Sequence, residues 1–161
     1  AGTPVVRAMP NTPAAVGRGI TAIVANEAGA GALDMAEELL SAVGQVVRLD
    51  AESQIDAVTG VSGSGPAYVF HMIETMAAGG VAQGLSPELA MQLAKATVAG
   101  AGALAEDADE DPAQLRINVT SPNGTTQAAL EVLMDEETGF PSLLPRAVAA
   151  ATRRAKELAD G

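Results

Sequence analysis

The sequence predicts an α+β chain that is mostly α: three short strands and one helix in the first fifty residues, then helices alone. Three observations carry that prediction. Short β-prone runs bounded by turn formers all precede Asp50. From Glu52 onward, apolar residues recur at helical spacing behind recognisable caps. Hydrophobic residues make up 48% of the 161 but aromatics only 2%, so the interior must be Ala, Val, Leu, Ile and Met. Such a palette suits closely packed helices better than an aromatic-rich sandwich.

The elements follow in order. Pro4 to Met9 is a short β-prone run and Gly19 to Ala25 another. Ala32 to Val43 places Leu33, Ala36, Leu39, Leu40 and Val43 on one helical stripe, with Gly44 as the stop. Gln45 to Leu49 is the third strand candidate. Three strands and one helix bury too little alone, and their open edges call for partners, so a preceding parallel sheet is expected and the chain reads as a piece of something longer. A helix is predicted from Pro66 to about Val81, with Val69, Ile73, Met76 and Ala77 on one stripe. Ser86-Pro87-Glu88 supplies a cap, an N1 proline and a first-turn acid for a helix to about Glu106. Asp111-Pro112-Ala113-Gln114 reads as a capping box. Further helices are predicted over Thr125 to Asp135 and Ser142 to Asp160, the latter carrying Pro145. The boundary between the two halves falls near Asp50, giving domains over 1–50 and 51–161.

A formal net charge of −11 repels phosphate backbones and anionic headgroups, so neither nucleic acid nor membrane is an expected partner. With no cysteine there are no disulfides or thiolate metal sites, and no His/Asp/Glu cluster has ligand spacing, so no metal is expected. The small-residue run Ala94 to Ala105 is too short and too rich in Gly and Ala to span a bilayer. No basic start leads into an apolar core, and a cytoplasmic location is expected. Gly79 and Gly80 lie in one predicted helix, Gly100 and Gly102 in the next; helical glycine costs roughly 1 kcal/mol against alanine. Close backbone approach is the expected reason, to a second subunit or to the neighbouring helix.

Chemistry concentrates in Gln114 to Thr126, QLRINVTSPNGTT. A capped turn runs into a Ser-Pro-Asn-Gly break, and two threonines open the next helix. Unpaired N–H groups at the positive end of that helix, ringed by hydroxyls, suit a small carboxylate or phosphate; the alternative is an ordinary interhelical N-cap. Val58 to Phe70, VTGVSGSGPAYVF, fails as a dinucleotide fingerprint: Tyr68 stands where the third glycine belongs, and no strand precedes it. It reads as a glycine-rich helix entry or the wall of a site. Met9, Pro10 and Asn11 end the first strand, where ligands sit if the strand belongs to an open α/β sheet; otherwise they form an edge-strand turn. His71, the lone histidine, is a packed or surface residue, or a proton relay. Ser64 and Ser121 have no other base with which to build a triad. The acidic run Glu106 to Asp111 is a solvated interhelical turn.

Three segments together, RAMPNTP, DAVTGVSGSGPAYVF and LRINVTSPNGTTQAAL, closely resemble pyrroline-5-carboxylate reductase, and the closing GFPSLLPRAVAAATRRAKEL is similar to that family's last helix. The resemblance implies the last strands of a Rossmann-type domain, followed by an all-helical dimerisation domain of the 6-phosphogluconate dehydrogenase C-terminal type. It implies reduction of L-Δ1-pyrroline-5-carboxylate to L-proline with NADPH or NADH, held mainly by a domain upstream of these residues. A homodimer is implied, with larger rings in some members and a site shared between subunits. Carried over by motif, Ser121, Gly124, Thr125 and Thr126 would meet the substrate carboxylate, Val119 would line the ring pocket, and Ser64 would face the site. Asn118 and the loop Met9, Pro10, Asn11 would approach the nicotinamide end of the cofactor. Thr126 or a water would protonate the imine, with His71 as the other candidate. Asn123 departs from the family's Gly-Gly pair; asparagine tolerates a left-handed backbone, so the turn is expected to survive. A non-catalytic anion-binding or oligomerisation module is the competing reading. A hydroxyacid dehydrogenase relative would need an interdomain lysine, and Lys95 and Lys156 lie elsewhere.

Overall fold

The computed structural model describes residues 2–159. They form two compact units, Ala1–Pro66 with Pro145–Gly161, and Ala67–Leu144.

The first unit holds the sheet. Strands β1 (Val6–Met9), β2 (Gly19–Ala25) and β3 (Gly44–Arg48) lie in that order, β1 antiparallel to β2 and β2 parallel to β3. The register pairs Val6 with Ala25 and Met9 with Ala22 on one side of β2, and Gly19 with Gly44 on the other. Thr21, Ala22, Ile23 and Val24 are all buried, which is why β2 reads as a continuous β-prone run and not as an alternation. The predicted helix over 32–43 is α-helical only over α1 (Leu33–Leu40), between 3-10 turns at Glu27–Ala32 and Ser41–Val43. Asn26 supplies the local reason: its Oδ1 accepts from Gly29 N–H at 2.8 Å and Val5 N–H at 3.1 Å, pinning a tight turn beside β1. Arg48 ties β3 to α1 through Glu37 (2.6 Å) and Asp34 (2.7 Å), and these two carboxylates raise its pKa.

The chain then winds through a 3-10 turn (Glu52–Gln54), α2 (Ile55–Val58) and a π-turn (Thr59–Gly63) and, past a bend at Ser64, into α3 (Gly65–Ala82). The glycine-rich entry is therefore itself helical, with Pro66 in the second position of α3 and not the first. Gly60 is buried, and a Cβ there would run into Thr152 Oγ1 and come within 2.9 Å of the Val148 carbonyl on α7 (Phe140–Ala159). That close approach excludes any larger residue. Pro145 lies inside α7, and the predicted terminus at Asp160 falls outside the described residues.

In the second unit, α4 (Pro87–Asp107) starts at Ser86, whose side chain accepts from Leu89 N–H at 3.2 Å. Ala77 of α3 and Ala90 and Ala94 of α4 form a small buried cluster, backed by Ile73 and Met91. Gly80 belongs to this contact: a Cβ would lie 3.2 Å from Ala90 Cβ and 3.3 Å from Leu85 Cδ1. The glycine at 80 therefore serves the neighbouring helix, whereas Gly79, Gly100 and Gly102 have open space where a Cβ would stand. Around those glycines α4 shows water Leu89, Leu93 and Leu104, more apolar surface than a partnered helix leaves exposed. For α5 (Pro112–Asn118), Asp111 caps Gln114 N–H at 2.9 Å, but the expected box is only half made. Gln114 turns away and donates to Asn118 Oδ1 at 2.7 Å, an i,i+4 bond that competes for the same amide. Among the described residues no helix is long and apolar enough to cross a membrane.

Candidate anion-binding turn

The segment that joins α5 to α6 (Thr125–Leu133) is built from its hydrogen bonds. Helical ends leave carbonyls orphaned, and α5 satisfies three of its last four. Leu115 O accepts from Val119 N–H at 3.3 Å, Ile117 O from Thr120 N–H at 3.0 Å, and Arg116 O from the Thr120 hydroxyl at 2.6 Å. The chain then reverses over Ser121–Gly124, closed by Gly124 N–H on Ser121 O at 3.1 Å. Asn123 sits at φ 58°, the only non-glycine residue with positive φ among those described. The departure from the family's glycine pair is thus accommodated, since the short amide side chain tolerates this backbone. Gln127 locks it, accepting from Asn123 N–H at 2.7 Å.

The N-terminus of α6 is left open. Gly124 is the N-cap and offers no side-chain cap; Ala128 N–H is the first to find a carbonyl, that of Gly124 at 3.3 Å. The amides of Thr125, Thr126 and Gln127 therefore have no partner among the described residues, at an end carrying roughly half a positive charge. The hydroxyls of Ser121, Thr125 and Thr126 also make no hydrogen bond among the described residues, in contrast to Thr59, Thr75 and Thr120, which bond back to carbonyls one turn earlier. A Cβ on Gly124 would displace the Ser121 hydroxyl and lie 3.0 Å from the Ser121 carbonyl, so glycine keeps the mouth clear. Thr126 and Gly124 are half-buried; Ser121 and Thr125 are exposed. This geometry can hold a small anion with uncharged donors.

Other expected residues fall beside the turn or apart from it. Val119 is the C-cap of α5 and is 64% exposed. Asn118 is exposed, its carbonyl oxygen engaged by Gln114. His71 is exposed on α3 and sits 3.1 Å from Glu74 Oε2. Thr120 and Gln127 shape the turn, and reading the motif passed over both. Glutamine three residues after the N-cap was the available signal, since that position reaches back to orphan N–H groups. Both also line a hollow of about 410 Å³ with Arg116, Leu130, Glu131 and Met134.

The first unit brings Met9, Pro10 and Asn11 to the π-turn. Asn11 bonds Ser62, and Met9 Cε packs on Gly63, where a Cβ would stand 2.6 Å away. Ser64 closes the turn through its N–H to Thr59 O at 2.8 Å, with its hydroxyl unengaged among the described residues. Because β1 runs against β2 and β3, its carboxyl tip lies at their amino ends, and within this sheet β1 is an edge. Gly63-Ser64-Gly65 lies in helical turns and not in a strand-to-helix loop, so it is no pyrophosphate cradle.

Known proteins share this fold. Residues 52–158 match the family described as pyrroline-5-carboxylate reductase dimerisation. A pyrroline-5-carboxylate reductase of Synechocystis is 52% identical over 155 residues, covering 96% of this chain and 57% of the relative. One from Pseudomonas aeruginosa is 48% identical over 158 residues, covering 98% of this chain and again 57% of the relative. The solved pyrroline-5-carboxylate reductase of Coxiella burnetii superposes with a TM-score of 0.91 at 41% identity, over 97% of this chain and 57% of that one. The Plasmodium falciparum pyrroline carboxylate reductase, solved with NADP bound, gives 0.84 at 32% identity, over 96% and 58%. The chain thus spans little more than half the length of the relatives it matches, and over that span it belongs to the pyrroline-5-carboxylate reductase family.

Proposed function

We propose that this chain is the substrate-binding and dimerisation part of an NAD(P)H-dependent reductase that converts L-Δ1-pyrroline-5-carboxylate to L-proline. The observation that carries the reading is the open mouth of α6: three unpaired amides and three unengaged hydroxyls around a glycine that keeps the space clear. Each hydrogen bond from such a donor to a carboxylate contributes about 1.5–3 kcal/mol. In this reading Ser121, Gly124, Thr125 and Thr126 hold the carboxylate, Val119 covers the ring and Ser64 contributes a hydroxyl. Residues 1–50 are the end of a dinucleotide-binding domain and 51–161 the helical domain. Support for that boundary comes from strands confined to Val6–Arg48 and a family match that starts at residue 52.

In this reading Met9, Pro10, Asn11 and Asn118 border only the nicotinamide end of the cofactor, because among the described residues no glycine-rich phosphate loop follows a strand. When bound, the cofactor supplies a hydride to the imine carbon. The chain's own part is to orient the ring and exclude water. The proton for the imine nitrogen comes from Thr126 or a water beside it, with His71 as the alternative relay. If His71 relays, His71→Leu shifts the pH–rate profile; superimposable profiles remove it. Homodimerisation is supported by the exposed leucines and open glycines of α4, and the family's biosynthetic reaction points to the cytoplasm. The deciding experiment joins this chain to the part of the Synechocystis relative that it does not cover and follows nicotinamide oxidation with pyrroline-5-carboxylate. A folded fusion that binds cofactor but does not turn over refutes the proposal.

A further inference from the structure

Asn11 holds the N-cap position of the 3-10 turn Thr12–Val16, yet its side chain does not cap it. Asparagine at an N-cap ordinarily accepts from an N–H two or three residues on. Here the second residue is Pro13, which has no N–H, and Ala14 N–H is taken by the Asn11 carbonyl at 3.2 Å. The amide is turned elsewhere. Its Oδ1 accepts from Ile20 N–H at 3.0 Å, at the start of β2, and its Nδ2 donates to Ser62 Oγ at 3.3 Å, in the π-turn. The neighbouring contact is apolar and equally tight, with Met9 Cε over Gly63 in the space a Cβ would fill. One half-buried side chain therefore pins three segments at one point: the tip of β1, the start of β2 and the π-turn.

We infer that Asn11 is a positioning residue for the reductase, acting with Ser62 to hold Met9 and Pro10 in place. The inference rests on the reading above, in which Met9 and Pro10 border the nicotinamide. It assigns Ser62, which no motif singled out, a function distinct from that of Ser64. The hydroxyl at 62 fixes the strand tip from behind, and the one at 64 is left for the site.

Two variants separate the arms. Ser62→Ala removes one and leaves the Asn11–Ile20 bond; Asn11→Ala removes both. In this chain, NMR follows the Met9 methyl to Gly63 α-proton cross-peak and the exchange protection of the Ile20 amide. Ser62→Ala is expected to weaken the cross-peak with Ile20 protection intact, and Asn11→Ala to lose the cross-peak and at least about 10-fold of the protection. In the fusion enzyme, Ser62→Ala is expected to lower kcat on the order of 10-fold with KM for pyrroline-5-carboxylate within about 2-fold, because the carboxylate turn is untouched. An unchanged cross-peak in both variants overturns the pinning. A weakened cross-peak with unchanged kcat overturns the positioning role. If the unsubstituted fusion folds and binds cofactor but does not turn over, the functional reading fails with that role, and NMR alone still judges the pinning.

Discussion

Replacing Thr126 by valine removes one hydroxyl while keeping branching and volume. That hydroxyl makes no hydrogen bond within the described residues, so no internal bond is lost. Valine and threonine also have similar helix propensities, so the folding free energy should move by less than about 0.5 kcal/mol. For a chain of 161 residues that is a change of less than about 2 °C in Tm. Binding should respond differently: losing one donor to a carboxylate weakens affinity for pyrroline-5-carboxylate or a proline analogue by ~1–2 kcal/mol, about 5- to 30-fold. Thr120→Val is the matched control. Its hydroxyl bonds the otherwise orphaned Arg116 carbonyl at 2.6 Å, so the variant should lose about 1 kcal/mol of stability and little affinity. Thermal denaturation and titration calorimetry on the fusion enzyme read both quantities. Equal affinities for Thr126→Val and the parent, or the stability loss appearing in Thr126→Val and not in Thr120→Val, would refute the reasoning.

Other substitutions probe the framework. Asn123→Gly should be near neutral, whereas Asn123→Ala should cost about 1 kcal/mol, because φ 58° penalises a Cβ that has no compensating amide; equal Tm values for the two would contradict this. Gly60→Ala should destabilise by about 1–3 kcal/mol, since the Val148 carbonyl is backbone and cannot step aside; urea denaturation measures the loss, and an unchanged midpoint would deny the close approach. Asp135 accepts from the Thr138 hydroxyl (2.8 Å), Thr138 N–H (2.7 Å) and Glu137 N–H (3.0 Å), which depress its pKa. A depressed acid stabilises the fold above its unfolded value, ~3.9, and loses that contribution as pH falls below it through the folded value. Amide exchange at Glu137 and Thr138 should therefore accelerate below about pH 4, beyond its intrinsic pH dependence, and protection that holds at lower pH would contradict the assignment.

Local chemistry made the α elements legible. Ser86-Pro87 and Asp111-Pro112 are caps whose effect is confined to one turn, and the helices they open begin where the sequence places them. The run Gly19–Ala25 is β-prone along its whole length and becomes the buried central strand. Elements that depend on distant partners were not legible. Nothing in the spelling of Thr59–Gly63 separates a π-turn from an α-helix; the difference is made by Gly60 meeting α7 and by Ser62 meeting Asn11. The second half of the box at Asp111 failed for a related reason, since the Asp111 N–H, a donor, and Asn118 Oδ1, an acceptor, competed for one Gln114 side chain, and only geometry settles such a contest.

The order of elements, the strand-then-helix division of labour, the turn at Ser121–Gly124 and the family's motifs follow from the sequence by itself. They rest on caps, periodicity and backbone preferences that act over a few residues. Tertiary structure decided which of Gly79, Gly80, Gly100 and Gly102 packs against a neighbour, which hydroxyls were consumed by carbonyls and which were left over, and that Asn11 binds across the fold and not to its own turn. Each of those outcomes is a competition among groups that several partners could satisfy, some one turn away and some far along the chain. Its winner depends on distances that exist only after folding.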